Sequence, residues 1–246
     1  MYDPIEDGRE KNKQPVTYRE AKPPEVFSDL VHSYWELKTE ATLVDDFFLH
    51  ALPDACVNIL FNQKDTQIAG ITALQTTYTE LNLGKDFYYA GIQFFPGVWQ
   101  GNKNETTDSF VGTPYLGDLP LVETNIKLAT VDFLGKEPFF SALITQLIER
   151  KHVGVNTVTK KILSNLESIH SVADMAEITH MSSRQLQRVL KKSTGFSPHD
   201  FLKVIRMQQS FQQHYLDAYT DQSHFIHSFR KITGYTPAEY YRKYNV

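Results

Sequence analysis

The chain has 246 residues, of which 41% are hydrophobic and 22% charged, and a formal net charge of −4. That length allows one or two domains, and the composition is that of an ordinary soluble globular protein rather than a disordered or fibrous one. The single cysteine, Cys56, excludes an intrachain disulfide framework and fits a reducing compartment. No apolar run approaches the ~18 residues needed to span a bilayer, so a cytoplasmic protein without a membrane partner is expected.

Met1 to Ala21 is polar and charged, with no apolar centre of the kind a secretory signal needs. Pro15, Pro23 and Pro24 discourage regular structure, so residues 1–24 are expected to form a flexible arm. Residues 25–120 read as β-rich, after a short helix at Val26–Ser33. Val57–Phe61, Gln67–Ile71 and Phe87–Phe95 read as short strands, with turn signals such as Gly84-Lys85-Asp86 between them and Pro96-Gly97 after them. Strands at that spacing imply a sandwich or small barrel.

From Leu121 the period changes. Phe139, Phe140, Leu143, Ile144, Leu147 and Ile148 fall on one helical face, Gly154 interrupts, and Asn156–Ser168 resumes the helical pattern. Residues 121–155 are expected to be a helical connector and 156–246 a separate all-α domain, giving an α+β chain overall. The charge divides in the same way. Residues 155–246 hold 12 Lys+Arg against 7 Asp+Glu, a balance of +5, whereas residues 1–154 carry −9. A basic module beside an acidic one suits a partner rich in phosphate for the first.

The last quarter says one thing nearly twice. Leu186–Phe201 reads LQRVLKKSTGFSPHDF and Phe225–Tyr240 reads FIHSFRKITGYTPAEY, at a constant offset of 39 residues. An aligned internal repeat marks a duplicated supersecondary unit, here a basic helix, a glycine stop and a capped new helix. In the first copy Ser171 caps one helix, with Asp174 three residues on. Ser182 caps the next, with Gln185 in the reciprocal position. Thr179-His180-Met181 joins them tightly, Ala176 is small enough for a close helix crossing, and Met181 is an apolar plug. Two short helices joined this way make a helix-turn-helix.

The second of these helices turns Leu186, Val189 and Leu190 inward. Ser183, Arg184, Gln187, Arg188, Lys191 and Lys192 remain outward. Arginine suits guanine O6 and N7, glutamine suits adenine N6 and N7, and Lys or Arg suits phosphate. A solvated face of an ordinary helical bundle would carry similar residues, but it would not need the caps, the turn and the repeat as well.

The string Met181-Ser182-Ser183-Arg184-Gln185-Leu186-Gln187-Arg188, followed by Lys-Lys-x-x-Gly-Phe-Ser-Pro, resembles the first helix-turn-helix of the AraC/XylS family of bacterial transcription regulators. Asp221-Gln222-Ser223-His224-Phe225, with Phe229-Arg230-Lys231-x-x-Gly-Tyr-Thr-Pro, resembles the second. The resemblance covers about residues 156–244. It implies two helix-turn-helices joined by a long helix, with recognition helices in successive major grooves, and adds Gln222, Ser223, His227 and Arg230 to the expected DNA contacts. The front half is similar to a sensor-like domain of some of these regulators, through Tyr34-Trp35, Leu52-Pro53-Asp54 and Gly91-x-x-Phe94-x-Pro96-Gly97.

The chain also departs from that pattern, because the family repeat is about 50 residues and this one is 39. At that offset the first scaffold helix, Val172–Ile178, should recur at Phe211–Asp217. Tyr215 stands there in place of Ala176 and Gln212 in place of Ala173, so the linker helix that starts at Ser197-Pro198 is expected to fuse with the scaffold helix or to truncate it. A linker of about 16 residues spans about 24 Å, short of the ~34 Å between successive major grooves. His227 stands where Arg188 stands in the first copy, and a histidine carries at most part of a charge near pH 7. Reading is therefore expected to rest mainly on Arg184, Gln187 and Arg188.

Other constellations point less far. His224 and His227 lie at helical spacing with His214 nearby, but no third ligand is spaced for zinc, so no metal and no cofactor is expected. Cys56 has no neighbouring base and reads as a buried small residue. No phosphate-binding glycine loop or nucleophile elbow is present, so the chain is expected not to be an enzyme. Tyr34, Trp35, Phe95 and Trp99 could line an apolar effector pocket or fill the core of the β domain. The expected partners are double-stranded DNA and either a small-molecule effector or a second subunit in a homodimer. The alternative is a stand-alone binding or enzymatic β domain with a decayed helix-turn-helix tail.

Overall fold

A computed structural model of the protein describes residues 7–10, 16–101, 106–107, 112–212 and 222–245. The front half is built from strands β1 (Asp7–Glu10), β2 (Val16–Ala21), β3 (Val31–Thr39), β4 (Phe47–Ala51), β5 (Val57–Asn62), β6 (Ala69–Thr72), β7 (Thr79–Gly84), β8 (Tyr88–Phe94) and β9 (Thr106–Thr107). They form a larger sheet in the order β2-β3-β8-β5-β6-β9 and a smaller one in the order β10-β1-β4-β7, whose edge strand β10 (Tyr244–Asn245) comes from the far end of the chain.

The period of two along β3 explains the layers. Trp35 turns toward the smaller sheet and packs with Leu37, Phe47, Leu49, Leu83 and Tyr89. Its neighbour Tyr34 turns the other way, into a core shared with Ile59, Phe61, Ile92 and Phe94. Helices α1 (Leu121–Leu128) and α2 (Glu137–Glu149) cover that outer face, and the rings of Tyr34 and Phe140 lie 4.9 Å apart. Phe140, Leu143, Ile144 and Leu147 are each at most 1% exposed, and burying a side chain of that size contributes about 1.5–3 kcal/mol. Gly91 of β8 sits opposite Trp35, where a Cβ would come within 2.5 Å of the indole ring, so only glycine fits.

A polar lock fixes α1 to the sheet. Asn125, fully buried, donates to the carbonyls of Asn62, Thr66 and Ile68 at 3.0–3.1 Å and accepts from Gln63 Nε2 at 2.6 Å. Lys136, also fully buried, donates to Gln63 Oε1 at 2.8 Å and to the carbonyls of Leu128 and Val131. Burial pulls the Lys136 ammonium down to about 8.

Two sequence expectations give way here. The flexible arm over 1–24 is strand at Asp7–Glu10 and Val16–Ala21. Val16–Ala21 pairs along β3 from Val16↔Thr39 to Ala21↔Tyr34, so edge pairing overrides the proline-rich flanks. The helix expected at Val26–Ser33 is a single 3-10 turn at Glu25–Phe27, after which β3 begins. Strands at Phe47–Ala51 and Thr79–Gly84 complete the smaller sheet.

The back half is helical: α3 (Thr157–Leu163), α4 (Val172–Thr179), α5 (Ser183–Thr194), α6 (Pro198–Gln212), α7 (Gln222–Thr233) and α8 (Pro237–Lys243). Two cores hold it. One gathers Ile162, Met175, Leu186, Leu190, Phe201 and Ile205 around Ala55 and Cys56 of the front half. The other gathers Met207, Phe225, Phe229, Ile232, Tyr240 and Tyr244 around Leu52. The chain is thus α+β, and both helical cores are rooted in the same front-half segment, Leu52–Cys56.

Candidate nucleic-acid interface

Helices α4 and α5 form the first unit. The Ser171 side chain accepts from Asp174 N at 3.2 Å, and the Asp174 carboxylate accepts from His170 N at 2.8 Å. His180 closes α4 in the left-handed region, at φ 55°, where a residue with a Cβ is uncommon. Met181 N then donates back to Ala176 O at 2.9 Å. Ser182 and Gln185 form a reciprocal capping box at the start of α5. Ala176 is buried and Met181 packs against the same core, as the close crossing and the apolar plug require.

On α5, Leu186 and Leu190 are fully buried, while Ser183, Arg184, Gln187, Arg188, Lys191 and Lys192 are all exposed. Arg184, Gln187, Arg188 and Lys191 follow the i, i+3, i+4 and i+7 spacing of one helical face. Lys191 Nζ is held on the Gly195 carbonyl at 2.7 Å, and Gly195 ends the helix at φ 76°.

The 39-residue repeat is a repeat of hydrogen bonds. Thr194 Oγ1 donates to Leu190 O at 2.8 Å and accepts from Phe196 N at 3.2 Å. Thr233 Oγ1 donates to Phe229 O at 2.9 Å and accepts from Tyr235 N at 3.3 Å. Both threonines are fully buried. Ser197 then caps α6 through Asp200 N at 3.2 Å, and Thr236 caps α8 in a capping box with Glu239. Gly234 takes φ 80°, as Gly195 takes 76°. Ser223, His227 and Arg230 lie exposed on α7 at the positions of Arg184, Arg188 and Lys191 on α5. Gln222 opens α7, and its side chain is outside the described residues, as are His214 and Tyr215.

The two units differ in what lies beneath the outward helix. Under α5 it is α4. Under α7, among the described residues, it is α6 and the front half. The Phe211 ring lies 5.5 Å from Phe229 and 5.7 Å from Tyr240. Tyr78 N donates to Ile232 O at 2.9 Å. His50 of β4, fully buried, stacks on Tyr78 at 4.6 Å and on Tyr244 at 4.8 Å, with its Nδ1 3.2 Å from the Tyr240 hydroxyl. Strand β10 then pairs with β1, Glu10↔Tyr244 and Arg9↔Asn245. Sequence reasoning missed this dock, since nothing near His50 or Tyr78 marks a partner some 154 to 194 residues away.

A cavity of about 110 Å3 lies between the two sheets, bounded by Trp35, Leu60 and Tyr89 on one side and Leu49, Leu81 and Leu83 on the other. At its wall Asp54 accepts from Cys56 N at 2.8 Å and from Gln93 Nε2 at 2.8 Å. Burial pushes the Asp54 carboxyl up to about 7. On the far side of the same wall, Pro53 O accepts from Gln208 Nε2 of α6 at 3.0 Å. Of the four aromatics expected around a pocket, only Trp35 lines this cavity. Tyr34 faces the opposite core, Phe95 lines a smaller groove beside α3, and Trp99 stacks on His152. Tyr34 and Trp35 separate because β3 turns adjacent side chains to opposite faces, and Phe95 and Trp99 lie beyond the end of β8.

Residues 19–111 match a family described as a domain of unknown function (DUF6597), which covers less than half of the chain. No curated protein matches in sequence. Among solved structures the chain is similar to ToxT from Vibrio cholerae O395, at 11% identity and a TM-score of 0.44 with all of both chains covered. It is also similar to a second crystal form of ToxT from Vibrio cholerae, at 11% identity and a TM-score of 0.41, covering 92% of this chain and 96% of that one. Likeness at that level carries no weight for function.

Proposed function

We propose that the protein is a sequence-specific, DNA-binding transcription regulator. In this reading residues 156–246 engage DNA, residues 121–155 connect, and residues 25–120, together with β1 and β2, form a sensor. The observation that carries the reading is α5: a doubly capped helix on a tight turn that presents Arg184, Gln187 and Arg188 on one exposed face. Those three side chains make no hydrogen bond or ion pair among the described residues, so they are available to a ligand. Lys191, Lys192 and helix N-termini would anchor phosphates while Arg184, Gln187 and Arg188 meet base edges. On α7, Ser223, His227 and Arg230 supply a weaker second set, with Gln222 beside them.

The cavity between the sheets favours a front domain that senses a small molecule over one that only dimerises. Its wall, Leu52–Cys56, also roots both helical cores, so an occupant would press on the elements that carry α5 and α7. Titration of the full chain into labelled duplex fragments from its own upstream region tests the reading. Affinity should fall steeply with added salt, as phosphate contacts require, and should differ between fragments. Absence of binding, or binding indifferent to salt, would favour a β-domain protein with a decayed helical tail.

A further inference from the structure

The cavity between the sheets sorts its groups by depth. Leu49, Leu60, Leu83 and Trp35 are buried on its walls, whereas Thr72 and Gln75 are half-buried at its rim. Several polar groups of the lining answer one another. Trp35 Nε1 donates to Asn58 Oδ1 at 3.2 Å, the Thr72 hydroxyl accepts from Asn58 N at 2.8 Å, and the Thr79 hydroxyl donates to Gln75 Oε1. A guest would therefore gain mostly by taking apolar surface out of water.

Charge of either sign is penalised there. Among the described residues no lysine, arginine or histidine lines the cavity, so a carboxylate or phosphate would leave water without meeting a cation. An ammonium fares no better. The carboxylate on the wall, Asp54, already accepts from Cys56 N and from Gln93 Nε2 at 2.8 Å each, and from its own backbone and the Cys56 thiol. An ion stripped of water and left unpaired loses more than the apolar contacts of a small body return. Size also selects. A dry cavity of about 150 Å3 lined by Leu, Ile and Phe holds benzene. This one, at about 110 Å3, suits a body of about four or five heavy atoms.

We propose that the cavity binds an uncharged small molecule, its branched or cyclic apolar body among the leucines and one neutral polar group at the Thr72 and Gln75 rim. This rests on the reading of the front half as a sensor and names the class of molecule it would sense.

Isobutanol, isobutyrate and isobutylamine share a branched body of that size and differ in the charge of the head group. Each would be titrated into the full chain near neutral pH, following the indole N–H resonances of its two tryptophans. Trp35 lines the cavity, whereas Trp99 stacks on His152 outside it and serves as the internal control. The expected result is a saturable shift of the Trp35 signal alone on adding isobutanol. Each charged analogue should bind about tenfold or more weakly, the least that an unpaired ion loses. Ala51 lines the cavity from the same face of β4 as Leu49. Ala51→Leu fills that space and should weaken isobutanol by a similar factor. A charged analogue that binds as tightly as isobutanol overturns the uncharged class and leaves the sensor reading standing. An isobutanol shift that Ala51→Leu leaves unchanged overturns the cavity as its site. If none of the three shifts Trp35, the class and the sensor reading fail together. The ranking on the unmodified chain decides the class even if the variant does not fold.

Discussion

The Nδ1 of His50 lies 3.2 Å from the hydroxyl of Tyr240, joining the fourth strand of the front half to the last helix of the back half across 190 residues. Both side chains are fully buried. This contact and the rings around it brace α8, and through it α7, against the front half.

Replacing Tyr240 with Phe keeps the packing and takes the hydroxyl from a buried imidazole. Leaving such a group without its partner costs about 1–3 kcal/mol. Chemical denaturation at pH 7.5 should register that loss with little change in slope, since the buried surface is unchanged. A variant as stable as the parent would show that the contact is incidental.

Acid should loosen the same joint. Burial, with a smaller contribution from the nearby Lys243 charge, holds the His50 imidazole down at about 4 instead of its ordinary 6.5. Between those values the unfolded chain takes up a proton that the folded chain refuses. The contribution of neutral His50 is therefore whole above pH 6.5 and is lost as the pH falls toward 4. His50→Phe, which keeps an aromatic ring in the stack, should flatten that part of the stability profile. An unchanged profile in the variant would assign the acid sensitivity elsewhere.

Asp54 has the opposite sign. Its carboxyl is raised from 3.8 to about 7 by burial, so between those values the folded chain keeps a proton that the unfolded chain has released. Stability from this group is present below pH 4 and drains away as the pH climbs to 7, by an amount on the order of 4 kcal/mol. Asp54→Asn should remove that slope, and at pH 8 the variant should melt higher than the parent. Its Oδ1 can still accept from Cys56 N, and an inverted Gln93 amide can accept from the new amide. A lower melting temperature at pH 8 would count against a buried carboxyl under strain.

Asn125 answers three carbonyls and one amide at once. Asn125→Leu keeps the volume and takes this partner from the Asn62 and Thr66 carbonyls and the Gln63 amide, each at a cost of about 1–3 kcal/mol where water cannot reach, while Ile68 O keeps its bond from Asn62 N. A loss of 3 kcal/mol or more in unfolding free energy is the expected order. A loss below about 1 kcal/mol would mean that water re-enters the site.

For DNA, Arg184→Ala and His227→Ala make a paired test at fixed salt. Loss of an arginine that reads a base costs about 1–3 kcal/mol and relaxes specificity at one position, and Arg184→Ala is expected to fall in that range. His227→Ala should cost distinctly less, because α7 carries fewer cations than α5. Equal losses would mean that the two helices share the reading.

Much of the back half was legible because its signals are local. The caps at Ser171, Ser182 and Thr236, the stops at Gly195 and Gly234, and the inward Leu186 and Leu190 all act within a few residues of one another. The strands at Val57–Asn62 and Tyr88–Phe94 were legible because both faces are buried, which leaves their sequence mostly apolar, broken only by Asn58, Gln93 and the terminal Asn62. Strand β3 was not. His32, Ser33 and Glu36 are buried polar residues that break its pattern, and Glu36 meets Tyr88 and Arg19 from neighbouring strands. Strands β1 and β2 depend on pairing with distant partners, and short polar segments carry no period that announces it. The cavity was hidden for a related reason: Trp35 and Leu81 meet only after two sheets have formed.

The pairing of Arg9 with Asn245 sets an order of events during synthesis. The β1 edge of the smaller sheet stays open until residues 244–245 have been made, more than 200 residues later. Contacts between such distant positions are slow to form, and an open strand edge is the part of a nascent chain most apt to pair with a neighbour. The α4–α5 unit draws on contacts close in sequence, so it can settle while that edge waits. The ring stack that braces α7 closes only once Tyr240 and Tyr244 have been made, so the second helix finds its support later than the first.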